Sequence, residues 1–149
     1  MRGGFIHNDV LVNRLLRSFE VEGWSCDTEV PVRMGETIGF IDLVVERDGY
    51  CIAVEAELSA RRIDRDLQKA QAIRAAELWI VTPHARVSGA VRRAFHRMDV
   101  RLARDDDALG SVFGTNVGGN GNDGVAVFVL TQGAAAQRVR NSLRMFAGA

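Results

Sequence analysis

The pair Asp48-Gly49 lies between two runs rich in Val, Ile and Leu, residues 38–46 and 51–58. Asp-Gly favours the two-residue hairpin turn, in which both central positions take φ above zero. That turn pairs Arg47 with Tyr50, and the same register sets Asp42 opposite Glu55. Opposed side chains of an antiparallel ladder share a face, with Cβ atoms about 4.5 to 5.5 Å apart. Glu57, two residues further on, shares the face because strand side chains alternate. The other face, Ile41, Leu43, Val45, Ile52, Val54, Ala56 and Leu58, has no polar side chain and reads as core. A slip of one residue would put this apolar row against the carboxylates, so the parity of the pairing is fixed.

Asp42, Glu46, Glu55 and Glu57 thus share one face, with no basic residue on that face of either strand. Opposed like charges destabilise a sheet, so something must offset them. One solution is a divalent ion, for which carboxylate oxygens are suitable hard ligands. The other is a plain ion pair from Arg61, Arg62 or Arg65 on the segment that follows. The geometry alone leaves both open.

Around the hairpin, Val12, Leu15, Leu16 and Phe19 recur at helical spacing, predicting a helix over 8–22, capped by Asn8 or Asp9 and stopped by Gly23. Residues 24–34 form a strand that Pro31 confines to an edge or a bulge. A helix over 60–77, capped by Ser59, puts Ile63, Leu67 and Ala70 on one face. An apolar strand at 78–82, with Trp79 as core, ends at Pro83. A helix at 87–98 and a short strand at 100–102 follow. Beyond Asp105-Asp106-Asp107, the glycine- and asparagine-rich stretch 110–124 reads as a loop, and a strand at 125–131 and a helix at 134–146 close the chain, with Arg138, Arg140 and Arg144 facing solvent or a partner. The loop runs into a strand and lacks a following Lys-Ser or Lys-Thr, which argues against a phosphate cradle.

A chain of 149 residues has room for one domain and a tail. No apolar run approaches the roughly 20 residues of a membrane helix, and no signal peptide is evident, which predicts a cytoplasmic protein. Cys26 and Cys51 lack metal-ligand spacing and read as buried thiols. The zero net charge conceals a polarity: −6 over residues 1–58, +7 over 59–104 and −1 over 105–149. The basic middle fits either a polyanionic partner or solvated helix faces. Lys69 is the only lysine among 19 basic residues.

The element order, with Gly39-Phe40-Ile41-Asp42-Leu43-Val44-Val45 followed by Ile52-Ala53-Val54-Glu55-Ala56-Glu57-Leu58, resembles the PD-(D/E)xK nuclease superfamily over roughly residues 7–102. The resemblance implies an α/β, restriction-endonuclease-like core of order α-β-β-β-α-β with a mixed central sheet flanked by helices. This core would occupy 1–104, with 105–124 as a loop and the strand and helix of 125–149 packed on it. It further implies that Asp42 and Glu55 hold Mg²⁺ or Mn²⁺ with the backbone carbonyl of Ala56. Glu57 stands where the family usually carries lysine, and would serve as a metal ligand or as the base. In some members the lysine has moved to the next helix, where Lys69 is the candidate; a surface lysine is the alternative. Asp9 would support the metal from the first helix.

Arg61, Arg62 and Arg65 would contact phosphates, with Arg74, Arg92, Arg93 and Arg97 as further cations, and Gln68 would touch phosphate or pair with a core carboxylate. The expected activity is metal-dependent hydrolysis of phosphodiester bonds in DNA. The alternative is a DNA-binding or assembly protein of the same fold whose catalysis has lapsed. Homodimers are common in this architecture because two strands need two cuts.

Overall fold

A computed structural model of the chain describes residues 3–105 and 124–147, with side chains from residue 10 to residue 142 within those spans. The elements are α1 (Gly3–Val21), β1 (Ser25–Met34), β2 (Thr37–Arg47), β3 (Tyr50–Ala56), α2 (Ile63–Ala72), β4 (Glu77–Thr82), α3 (Ala85–Arg97), β5 (Ala126–Thr131) and α4 (Gln132–Ala147). The strands form one mixed sheet in the order β1-β2-β3-β4-β5. The first three are antiparallel, while β4 is parallel to both β3 and β5. The protein is therefore α/β with a mixed sheet covered by helices on both sides, as the sequence leads one to expect.

The central turn forms as the Asp-Gly pair dictates. Asp48 and Gly49 take φ of 52° and 82°, and Arg47 pairs with Tyr50. From there the register runs to Leu43↔Val54, so both faces of the hairpin follow the predicted parity up to that point. Leu43, Val45, Ile52, Val54 and Ala56 pack with Leu15 and Phe19 of α1 and Val139 of α4. Under α2 and α3, Ala53, Leu78 and Ile80 pack with Ile63, Leu67, Val91 and Phe95. Trp79 is fully buried and touches Phe19, ring centroids 5.3 Å apart. Each helix thus covers an apolar sheet face with its own apolar stripe.

Ile41 departs from the expected row. It joins the cluster under α2, whereas Leu43, two residues on, joins the cluster under α1. The reversal falls at Asp42, whose N–H donates to the Glu55 carboxylate (3.1 Å). On the neighbouring strand β1, the residue between the pairs Thr28↔Leu43 and Val30↔Ile41 is Glu29, with φ of 50°. Leu58 lies beyond the end of β3 and is half-buried.

Several boundaries differ from those predicted. Helix α1 starts at Gly3, so Asn8 and Asp9 lie inside it rather than at its cap. Helix α2 is shorter than 60–77 because Ser59 is no cap; its Oγ accepts the Arg61 N–H (3.3 Å) in a local turn, and the helix begins after Arg62. It stops where Arg74 takes φ of 56° and Ala75 N–H returns to Ala70 O. The strand expected at 100–102 reduces to a single bridge, Leu102 to Val127. Of the glycine-rich stretch, residues 110–123 lie outside the described residues.

Arg138, expected to face solvent or a partner, is instead buried. Its Nη2 donates to Glu77 Oε1 (3.0 Å), and its guanidinium carbon lies 3.8 Å from the Phe128 ring centroid. Trp79 Nε1 (2.7 Å) and the Tyr50 hydroxyl also donate to Glu77. With the Trp24 Nε1 to Ser142 Oγ bond (3.1 Å), these contacts fasten α4 to the sheet. Cys26 and Cys51 are free, half-buried thiols, whose pKa burial pushes up to about 11.

Candidate active site at the end of the hairpin

The hairpin ladder stops at Leu43↔Val54, and the next two residues bond through side chains. Asp42 N–H donates to Glu55 Oε1 (3.1 Å), and Ala56 N–H donates to Asp42 Oδ2 (2.9 Å). Each carboxylate thus satisfies a backbone donor of the other strand, and the expected opposition of Asp42 and Glu55 becomes a reciprocal clasp. Glu55 is buried and Asp42 half-buried. Glu57 follows the end of β3, where its N–H bonds Val81 O (3.0 Å). Glu46 stays exposed near the turn, opposite Cys51, and takes no part in the cluster.

Lys69 on α2 supplies the charge that the hairpin lacks. Its Nζ lies 2.7 Å from Glu55 Oε2, 3.5 Å from Asp66 Oδ1 and 2.7 Å from the Phe40 carbonyl oxygen. The contact with Glu55 is one of charge: Oε2 has no aligned hydrogen-bond partner among the described residues. Although Lys69 stands about 120° around the helix from the apolar stripe, its long stem brings the ammonium back over β2. Gly39 makes room: a Cβ there would lie 3.1 Å from Lys69 Cδ and 2.8 Å from Met34 Cε. Lys69 is therefore not a surface lysine.

The arginine alternative fails on the same observation. Among the described residues, Arg61, Arg62 and Arg65 form no ion pair with the hairpin carboxylates; all three, like Gln68, are exposed. The side chain of Asp9 lies outside the described residues.

Asp66 is a fifth member of the cluster, one that hairpin register and motif spacing do not point to. It is buried, 2% exposed, and its Oδ2 has no partner among the described residues. Its sequence signal is an acid inside the stripe Ile63-x-x-Asp66-Leu67-x-x-Ala70, a position helical periodicity assigns to the core. The Asp66 and Glu57 carboxyls lie close enough to perturb each other's protonation. Burial raises the pKa of both; hydrogen bonding and charge from Glu57 push Asp66 further.

Burial, and then the charges of Asp66 and Asp42, push the Glu55 carboxyl up to about 9 against the opposing pull of Lys69. Burial also disfavours the ammonium of Lys69, but Glu55 and Asp66 outweigh it and the pKa of Lys69 is raised. One ammonium does not offset four buried or half-buried carboxyls, namely Asp42, Glu55, Glu57 and Asp66. The donor set, all hard oxygens with an excess of negative charge, fits a Mg²⁺- or Mn²⁺-type ion. Among the described residues, no three His, Cys, Asp or Glu side chains close into a ready cage. Mg²⁺ is commonly held by only one or two carboxylates, with waters and substrate phosphate completing its shell. Asp42 and Glu55 would be those two, with the carbonyl of Ala56 and then Glu57 as the nearest further donors.

The fold and site define an α/β chain with a buried carboxylate–lysine cluster where a hairpin opens under a helix. No family model matches the chain, and no curated protein matches it. Among solved structures it is similar to the crystal structure of a protein of unknown function, AF1548, at 14% sequence identity and a TM-score of 0.48. The likeness covers 80% of this chain, which spans 57% of that one. The functional reading therefore rests on the chain's own residues.

Proposed function

We propose that the protein is a divalent-metal-dependent phosphodiesterase acting on nucleic acid, DNA in the first instance. The observation that carries this reading is the convergence of Asp42, Glu55 and Lys69, from two strands and a helix, on one buried point. The PD-(D/E)xK resemblance implies two acids and a lysine there, and Lys69 provides that lysine from α2 in place of the residue at Glu57. A bound Mg²⁺ or Mn²⁺ would polarise the scissile phosphate and make its bound water acidic. Lys69 would place positive charge beside the phosphate oxygens as they gain charge. Glu57, its pKa raised by burial, is suited to take a proton from the attacking water.

One observation favours a second reading. Asp42 Oδ2 and Glu55 Oε1 are committed to backbone N–H groups, and Lys69 sits on Glu55 Oε2. Carboxylates whose oxygens are engaged in this way need no ion to fold, as expected of a nuclease-fold DNA-binding or assembly protein whose catalysis has lapsed.

The test is cleavage of labelled duplex, single-stranded, flapped and junction DNA with Mg²⁺ or Mn²⁺, beside Asp42→Ala, Glu55→Ala and Lys69→Ala. Metal-dependent products from the wild type, lost in all three variants, are the expected result. No cleavage together with no calorimetric binding of Mn²⁺ would overturn the enzyme reading and leave the cluster structural. Binding of Mn²⁺ without cleavage of any substrate favours the lapsed form.

A further inference from the structure

The second half of α3 and the residues after it line an open groove of about 610 Å³ beside the edge strand β5, two strands across the sheet from β3. Arg93, Arg97 and Arg101 supply its cations, His96 lies among them, and Val100 and Leu102 supply its apolar part. Arg93, His96 and Arg97, at spacings of three and four from residue 93, share one side of α3, and Arg101 follows beyond the turn at Asp99. All four are exposed. Arg92, at the same groove, is already engaged: it bonds Val129 O (2.6 Å) and Asp105 Oδ1 (3.2 Å). No described residue forms an ion pair with Arg93, His96 or Arg97.

Basic residues in the last turn of a helix complement its dipole, and His96 and Arg97 serve that purpose. That effect accounts for one or two cations at a terminus. It does not account for Arg93, a full turn earlier. Exposed guanidiniums present planar forks that match phosphate oxygens in pairs.

We infer that this groove is a docking surface for the phosphate backbone of a nucleic acid, separate from the carboxylate cluster. Its chemistry is one of charge complementarity without base-reading groups, which gives affinity and position rather than sequence preference. The inference rests on the nucleic-acid reading of the protein but not on catalysis, since a lapsed enzyme would use the groove equally. The carboxylate cluster repels phosphates in the absence of a metal, whereas a backbone held at this groove is bound without depending on the ion.

The test is binding of a fluorescein-labelled duplex DNA to the full chain in EDTA, followed by anisotropy over a range of salt. Arg93→Glu/Arg97→Glu is compared with Arg14→Glu/Arg17→Glu, which makes the same change of charge on the exposed side of α1. We expect the α3 pair to weaken binding by about tenfold or more and to lower the slope of log affinity against log salt by about two, one for each guanidinium taken away from a phosphate. The α1 pair should do neither. Equal losses from both pairs would reduce the effect to net charge and overturn the proposal, as would unchanged binding in the α3 pair or no binding by the wild type. Wild-type binding in EDTA that depends on the α3 pair, without cleavage in Mg²⁺ or Mn²⁺, would keep the groove and overturn the nuclease reading, so failure of the groove and failure of the nuclease reading give different results. Urea unfolding of both double variants shows that the fold is kept.

Discussion

Lys69 Nζ reaches Glu55 Oε2 at 2.7 Å by passing over Gly39, where a Cβ would lie 3.1 Å from the lysine's own Cδ. The buried carboxylate on β3 is therefore given its counter-charge by a helix, through a gap in the strand between them.

Gly39→Ala tests that gap. The new methyl would press on Met34 Cε, a flexible end, and on the middle of the lysine stem, which cannot retreat without withdrawing Nζ. We predict a loss of stability of about 1 kcal/mol, at the low end of overpacking costs, measured by urea unfolding. Metal-dependent cleavage should fall as far as in Lys69→Ala, while Mn²⁺ binding by calorimetry persists. Cleavage at the wild-type rate would mean that Lys69 does not act on the phosphate.

The pH dependence of the metal-free protein follows from Glu55. Its pKa is about 9 in the fold against 4.5 ordinarily, so the folded state holds the proton longer than the unfolded chain. The stability this carries is complete below pH 4.5 and is lost as the pH rises towards about 9. We predict a melting temperature that declines across this window without metal. Glu55→Gln should decline less, the remainder coming from Glu57 and Asp66, whose pKa values are raised in the same direction. Added Mg²⁺ should raise the melting temperature more at the alkaline end than at the acid end, since it binds the ionised carboxylates.

Much of this arrangement was legible in the sequence because it rests on local rules. Asp48-Gly49 set the turn, the turn set the register, and alternation put Asp42 and Glu55 together. Lys69 and Asp66 were harder. Helical angle alone places Lys69 beside the packed stripe, and only the absence of a side chain at Gly39, on a different element, lets it in. The reversal at Asp42, which moved Ile41 to the other side of the sheet, depends on a side-chain bond to Glu55 that period-two reasoning does not contain. Arg138 reads in the sequence as facing solvent or a partner because its ion-pair partner, Glu77, lies 61 residues away.

Glu77 and Arg138 are 2% and 5% exposed, so neither charge is relieved by water. Removal of one leaves the other buried without its counter-ion, which typically costs about 3 to 5 kcal/mol. We predict losses of this size for Glu77→Gln and for Arg138→Met, measured by urea unfolding. The double variant should recover part of the loss, because it leaves no uncompensated charge. Additive losses would show that the two residues contribute through separate contacts, such as those of Glu77 with Tyr50 and Trp79.

Asp66 gives the sharpest test of the proton at Glu57. Asp66→Asn keeps the shape and offers Glu57 a permanent N–H donor where Asp66 donates only while it is protonated. That favours ionised Glu57, so its pKa should fall. If Glu57 accepts the proton of the attacking water, the acid limb of the cleavage rate moves to lower pH in Asp66→Asn, with KM for DNA unchanged. Asp66→Ala, which leaves Glu57 facing a small cavity, should lose more stability than Asp66→Asn. A pH profile for Asp66→Asn that overlies that of the wild type would assign the proton to another group and leave Glu57 and Asp66 a structural pair.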